Sequence, residues 1–195
     1  MRACIFRNLM VIAAGLSLVS TAHAEPATAV LVETDPATFV FHGFAAHLRM
    51  RPKALPHWTL GGGAYALDLP SPLVELDPAN RGEGWHSRIS LGGAAFVDRY
   101  FRDDARGFFV GAQFGFQRYH LTRDGARGAA NFTSLLLMPR VGYTWQPFDV
   151  GFYVMPWLGV GTAPRIAGEV ALDGRRYDVF PVVAFATLHV GWRFE

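Results

Sequence analysis

Cysteine is nearly missing from this 195-residue chain, with Cys4 its single representative. A disulfide scaffold and a thiolate metal centre are therefore excluded. Lysine is as scarce. Lys53 stands alone, and the other basic residues are scattered arginines that never gather into the block a nucleic-acid binder needs. Charged residues make up 17%, below the roughly 25% usual for soluble domains. No H-E-x-x-H, G-x-S-x-G, P-loop or G-x-G-x-x-G occurs. No stretch of the chain reaches the roughly 20 apolar residues of a membrane helix. Present in excess are glycine (21) and phenylalanine (16), with hydrophobic residues at 51%. That mixture also excludes disorder and a coiled coil.

Residues 1–24 read as a secretory signal peptide: Arg2 and Arg7 lead, Leu9 to Val19 are apolar, and Ala22-His23-Ala24 supplies an A-x-A cleavage site. Cys4 would leave with it. The expected mature chain, 25–195, forms one domain and is close to neutral, because Arg2 and Arg7 are lost too.

Alternation dominates that domain. In 108–120 one parity reads Phe108, Val110, Ala112, Phe114, Phe116, and the other Phe109, Gly111, Gln113, Gly115, Gln117, Tyr119. Segments 86–101, 132–146, 148–162 and 180–194 repeat the split, and 38–50 and 57–68 show it more loosely. Period two over such lengths predicts strands with one apolar and one mixed face. A short eighth strand is expected at 27–33. Short connections at 51–56, 102–106 and around Pro147 alternate with long ones at 69–85, 122–131 and 163–177, the last with a tight hairpin tip at Leu172-Asp173-Gly174-Arg175.

Two architectures use this pattern. A soluble periplasmic lipocalin-like ligand-binding barrel points the apolar face inward; a transmembrane β-barrel points it at lipid. The latter is favoured on three grounds. The strands reach or exceed the roughly 9–11 residues that cross a bilayer. The mixed face combines Gly and Ala with Arg, His, Gln and Tyr, which suits a narrow packed lumen. Trp58, Phe101, Phe108, Trp145, Phe148, Trp192 and Phe194 cluster on the apolar parity beside the short turns or the C-terminus, as an interfacial girdle does. The expected fold is all-β: an antiparallel up-and-down transmembrane barrel of eight strands.

The terminus Ala186-Thr187-Leu188-His189-Val190-Gly191-Trp192-Arg193-Phe194 resembles the C-terminal signal of Gram-negative outer-membrane barrels, with Glu195 as one residue beyond the pattern. With the signal peptide and the loop alternation, the whole mature chain resembles the small eight-stranded OmpA/OmpX-type barrels. The resemblance implies an even strand number, periplasmic termini and short turns, and long loops outside. It also implies a monomer surrounded by outer-membrane lipid and lipopolysaccharide. Its Trp192/Phe194 signal would be read by periplasmic chaperones and the barrel-assembly machinery.

Chemistry-bearing residues are few. His42, His47, His57, His86, His120 and His189 show no metal-ligand spacing. Gly61-Gly62-Gly63 lies mid-strand, where close packing accounts for it. Arg88, Asp98, Gln113, Gln117, Arg140, His189 and Arg193 are expected to face the lumen and to pair there. Pro139 and Pro156 would meet across a symmetric turn at 146–149, leaving the ladder weak at one spot. This hairpin resembles that of lipid A palmitoyltransferases, which admit an acyl chain sideways. The Asp-Ser pair of that family is missing, since Arg99 follows Asp98, and the His-x-Ser of lipid A deacylases is approached only by His120-Leu121-Thr122. An enzymatic reading would make His42 the base, with Thr34 and Thr38 the nearest hydroxyls. The expectation is therefore no catalytic residue, cofactor or metal, and a structural or surface-recognition role through the loops 69–85, 122–131 and 163–177. The alternatives are a lipid A-modifying barrel enzyme and the lipocalin-like barrel.

Overall fold

A computed structural model describes residues 28–195; the signal-peptide reading of 1–24 and the start of the domain at 25 lie outside the described residues. Among these, no helix is long and apolar enough to cross a membrane. The chain is built from strands: β1 Ala29–Thr34, β2 Phe44–Arg51, β3 Trp58–Asp68, β4 Trp85–Tyr100, β5 Gly107–Arg123, β6 Ala130–Thr144, β7 Phe152–Thr162, β8 Arg165–Gly168, β9 Ala171–Leu172, β10 Arg175–Arg176 and β11 Val182–Phe194. A five-residue helix, α1 (Pro36–Val40), follows β1, and α2 (Ser71–Val74) lies in the β3–β4 loop.

Each of β1 to β7 pairs with its sequence neighbour, β11 pairs with β7, and β1 closes the ring on β11, all antiparallel. The result is a closed eight-stranded barrel. Strand β8 prolongs β7 along β6 after a break at Ala163-Pro164, and β9–β10 is a hairpin tip. The short eighth strand expected at 27–33 is found as β1, Ala29–Thr34, with residue 27 outside the described residues. The tip turns through Asp173 and Gly174, both at positive φ, which is the two-residue hairpin geometry the sequence suggests.

Facing follows the alternation. Phe114, Phe116, Leu137, Val141, Leu158, Val160 and Leu188 are exposed on the outer wall, whereas Phe109, Gln113, Gln117, Leu136, Met138, Arg140, Met155 and His189 are buried inside. The wall is apolar where a soluble barrel would be polar. Phe101, Phe108, Trp145, Phe148, Trp192 and Phe194 are exposed at the end where β1 begins and β11 finishes, as an interfacial girdle is. Gly63 and Gly111 show how so narrow a ring encloses large side chains. A Cβ on Gly63 would collide with the His47 ring, and one on Gly111 with the Asp98 carboxylate; each glycine leaves its lumen space to the partner across the ladder.

Three expectations are corrected. First, residues 38–43 are not strand: Asp35 caps α1, its carboxylate accepting from the Ala37 N–H at 2.9 Å, and β2 starts only at Phe44. Second, Ser90 is an extra residue in β4, which shifts register against β3 and β5. Beyond this bulge the parity inverts, so Trp85, Ser87 and Ile89 point inward while Arg88 sits at the outer rim, paired with Asp68. Third, Pro139 does not meet Pro156. Trp145 pairs with Val154, so the connection is longer than a symmetric four-residue turn and the β6–β7 register is displaced. Pairing lapses separately beside each proline; β6 and β7 match only at Leu137–Thr162, Arg140–Gly159, Val141–Leu158 and Gly142–Trp157 before that bridge.

Candidate functional site

The lumen is layered. Toward the termini it is filled by Leu31, Tyr100, Phe109, Met138, Tyr153 and Met155. Next comes an ionic layer drawn from six strands. Arg49 on β2 bridges Glu33 on β1, at 2.9 Å, and Asp98 on β4. Arg140 on β6 grips the same Asp98 with two bonds, of 2.9 and 2.6 Å. Tyr153 on β7 donates to Glu33 at 2.7 Å, and the His189 Nδ1 of β11 lies 2.9 Å from it. The Arg140 guanidinium also stands over Phe96 and Trp157, at 4.6 and 5.2 Å from their ring centres. Two carboxylates thus balance two guanidiniums, each guanidinium bonding through two of its nitrogens while Arg49 Nη2 and Arg140 Nη1 lack a protein partner; pairing and hydrogen bonding are what make buried charge tolerable.

The lumen-facing residues expected from the sequence arrive as follows. Asp98, Gln113, Gln117, Arg140, His189 and Arg193 are buried inside, and Arg88 is not. Gln117 donates to the Tyr65 hydroxyl at 2.8 Å and accepts from Tyr119 at 2.8 Å. Sequence reasoning missed Glu33. Both faces of β1 begin apolar, Ala29 and Leu31 against Val30 and Val32, so parity there has no signal until the pairing with β11 is known.

Glu33, His47 and His189 bring their ligand atoms within 4.8 Å of one another, although they come from three strands and show no spacing motif. The group fits a metal poorly. The Glu33 oxygens already accept from Arg49, Tyr153 and His189, and the His47 and His189 rings are stacked at 4.6 Å with planes 14° apart. Ligation lies in the plane of an imidazole, and two near-parallel rings cannot both place one ion in plane.

The enzymatic trio does not assemble. His42 sits in the turn after α1 with its Nδ1 3.2 Å from Asp68 at the exposed outer rim. The Thr34 and Thr38 hydroxyls donate to the Ala45 and Asp35 carbonyls, both at 2.7 Å, and neither meets the imidazole. His86 pairs with Asp124 at 3.0 Å and His120 with Asn131 at 3.0 Å, likewise outside the lumen.

Above the ionic layer the loops make a lid. Trp85, Tyr119, Phe132, Val74, Leu172 and Tyr177 form one buried cluster, and Tyr119 stacks on Phe132 at 4.5 Å. Asn80 ties the two longest loops together: its side chain donates to the Asp178 carbonyl at 2.8 Å and accepts from the Asp178 N–H at 2.9 Å. Asn80→Ala strands both Asp178 groups and should destabilise the lid by about 1–3 kcal/mol. Because loops open locally, we expect faster hydrogen exchange in 69–84 and 177–181 with the strands unchanged. Uniform loss of protection along β4 and β5 would contradict a local role.

The wall now decides the class, since apolar side chains face out and charge faces in on a closed antiparallel ring. It is an outer-membrane-type β-barrel. No family model matches the chain, and no curated protein sequence does. Among solved structures, the crystal structure of Neisserial surface protein A is similar in course. It aligns over 85% of this chain and 92% of its own, at 12% sequence identity and a TM-score of 0.36. Likeness at that level adds nothing on role; facing and closure in this chain carry the assignment.

Proposed function

We propose that this chain is a non-enzymatic integral outer-membrane protein of a Gram-negative envelope, exported by the signal peptide at 1–24, that acts in surface recognition through its outer loops. The observation that carries the reading is the lid. The loops 69–85, 122–131 and 163–177 are bound to one another, through Asn80 to Asp178 just past the third, through the Arg123 Nε, which donates to the Glu83 carbonyl at 2.9 Å, and through the Arg127 N–H, which donates to Asp173 at 2.8 Å, so they present one ordered surface. Arg165, Arg175 and Arg176 are exposed on it, and guanidinium forks suit the phosphates of neighbouring lipopolysaccharide. A lumen crossed by the Glu33–Arg49–Asp98–Arg140 layer supports a plugged barrel rather than a conducting one. The separation of His42 from the Thr34 and Thr38 hydroxyls counts against lipid A chemistry, because a base must reach its nucleophile. Chaperones and the assembly machinery are the expected transient partners at Trp192/Phe194.

The test is fractionation. The protein should sediment with outer membranes, need detergent, and run differently on gels when boiled and unboiled. Arg175→Ala with Arg176→Ala should weaken binding of purified lipopolysaccharide by about tenfold while keeping that mobility shift. Recovery of a soluble periplasmic monomer would overturn the reading and favour the lipocalin-like alternative.

A further inference from the structure

The outer half of the lumen is filled only in part. A cavity of about 250 Å³ lies between the ionic layer and the lid. His47, Gln113 and Trp157 line its end nearest the ionic layer, with exposures of 7%, 4% and 8%. His47 Nδ1, Gln113 Oε1 and Trp157 Nε1 have no hydrogen-bond partner in the protein. Buried polar atoms are nearly always bonded, and three without partners around one cavity point to a ligand with a hydrogen-bonding end. Tyr65, Leu67, Leu73, Phe96 and Phe185 are among its other lining side chains, as is Asp35. The volume is below the roughly 300 Å³ at which drug-sized sites begin, so the cavity suits a slender chain rather than a ring system.

The barrel wall is incomplete beside this cavity. Strand β1 ends at Thr34, opposite Val190, and so covers β11 only from Val190 to Phe194. Outward of that, β11 continues to Val182 with no strand on that edge among the described residues. Helix α1 lies across the opening, held by the Asp35 carboxylate, which accepts from Thr187 Oγ1 at 2.7 Å. The cavity follows β11 round its edge: inward-facing Phe185, Thr187 and His189 line it, and so do outward-facing Ala184 and Ala186. It therefore reaches the lipid-facing surface past two of the smallest side chains on the wall, beside the exposed apolar Phe39 and Val40 of α1. An open sheet edge at membrane depth is tolerated only where it lines a cavity or is covered, and this edge does the first.

We propose that the cavity binds a free single-chain fatty acid that enters carboxyl-first from the membrane, between α1 and the outer half of β11. An undissociated carboxyl group offers one donor and acceptor oxygens, which matches the indole N–H, the amide oxygen and the imidazole nitrogen. The alkyl chain then lies along Phe96, Tyr65 and Phe185 and leaves by Ala186. An acyl chain of an intact diacyl lipid would bring its methyl end to these polar atoms and leave them unbonded.

The test uses the full mature protein in vesicles of phosphatidylethanolamine and phosphatidylglycerol, with palmitic acid carrying a mid-chain diazirine. Irradiation should give saturable crosslinks on peptides containing Tyr65, Phe96 or Phe185, competed by unlabelled palmitate. Ala186→Trp closes the opening from the lipid side, and Gln113→Leu removes a polar partner. Each should lower the yield about tenfold with the folded gel mobility retained; should the tryptophan variant not fold, Gln113→Leu decides alone. Labelling confined to outer-wall residues such as Phe114 and Leu137 would overturn the proposal, as would yields unchanged in the folded variants. So would equal labelling of the same inner peptides by a diazirine-bearing phosphatidylethanolamine.

Discussion

Asp98→Ala is expected to destabilise the barrel by about 3–5 kcal/mol, the range for removing one partner of a buried ion pair. Asp98 is fully buried and carries Arg49 and both bonds from Arg140. Its loss leaves two guanidiniums facing each other with Glu33 as the only remaining carboxylate of the layer. Arginine cannot shed its proton to escape, and Gly111, which abuts the Asp98 carboxylate from β5, offers no replacement group. Asp98→Asn should lose less, because its amide oxygen still accepts one guanidinium bond. Urea unfolding in vesicles, followed by the loss of the folded gel mobility, measures both. Equal midpoints for wild type and Asp98→Ala would mean that water rather than Asp98 solvates these arginines.

That cluster also marks how far the sequence can be read. The long strands were legible because a membrane wall demands the same parity over many residues: Phe108 to Phe116 and Phe180 to Phe194 offer lipid one uninterrupted apolar stripe. The bulge at Ser90 was invisible, since Ala, Gly and Ser around it suit either face, and the inversion it causes misplaced Arg88. Helix α1 was hidden for a similar reason: Pro36-Ala37-Thr38-Phe39-Val40 is too short to show a helical period, and only the Asp35 cap announces it. The proline register failed because Pro147 and Gly151 permit more than one turn length, and Trp145–Val154 closes the longer one. The lumen residues on β4, β5, β6 and β11 followed from parity. Their convergence with Glu33, and the open edge of β11, follow from where β1 stops, which is a property of ring closure rather than of any segment.

The outer wall makes the second strong demand. Leu137 on β6 and Phe114 on β5 face each other across the ladder and are 51% and 57% exposed, both far from either strand end. Placing arginine at either position puts a guanidinium against hydrocarbon near the midplane, where the penalty is about 2–4 kcal/mol. The two sites should lose similar amounts because cross-strand neighbours share one depth. Gln117 supplies the contrast, for it lies three pairs further along β5, fully buried between the hydroxyls of Tyr65 and Tyr119. A cysteine at 137 should react with a lipid-phase maleimide in intact vesicles, and one at 117 should react only after unfolding. Labelling at 117 with 137 spared would mean that the barrel is turned inside out relative to the facing described, and equal labelling would mean that the two residues do not lie on opposite faces of the wall. If the order holds, Leu137→Arg should also assemble more slowly than Gln117→Leu. The charged side chain must pass the hydrocarbon during insertion, whereas the lumen substitution meets only its own barrel.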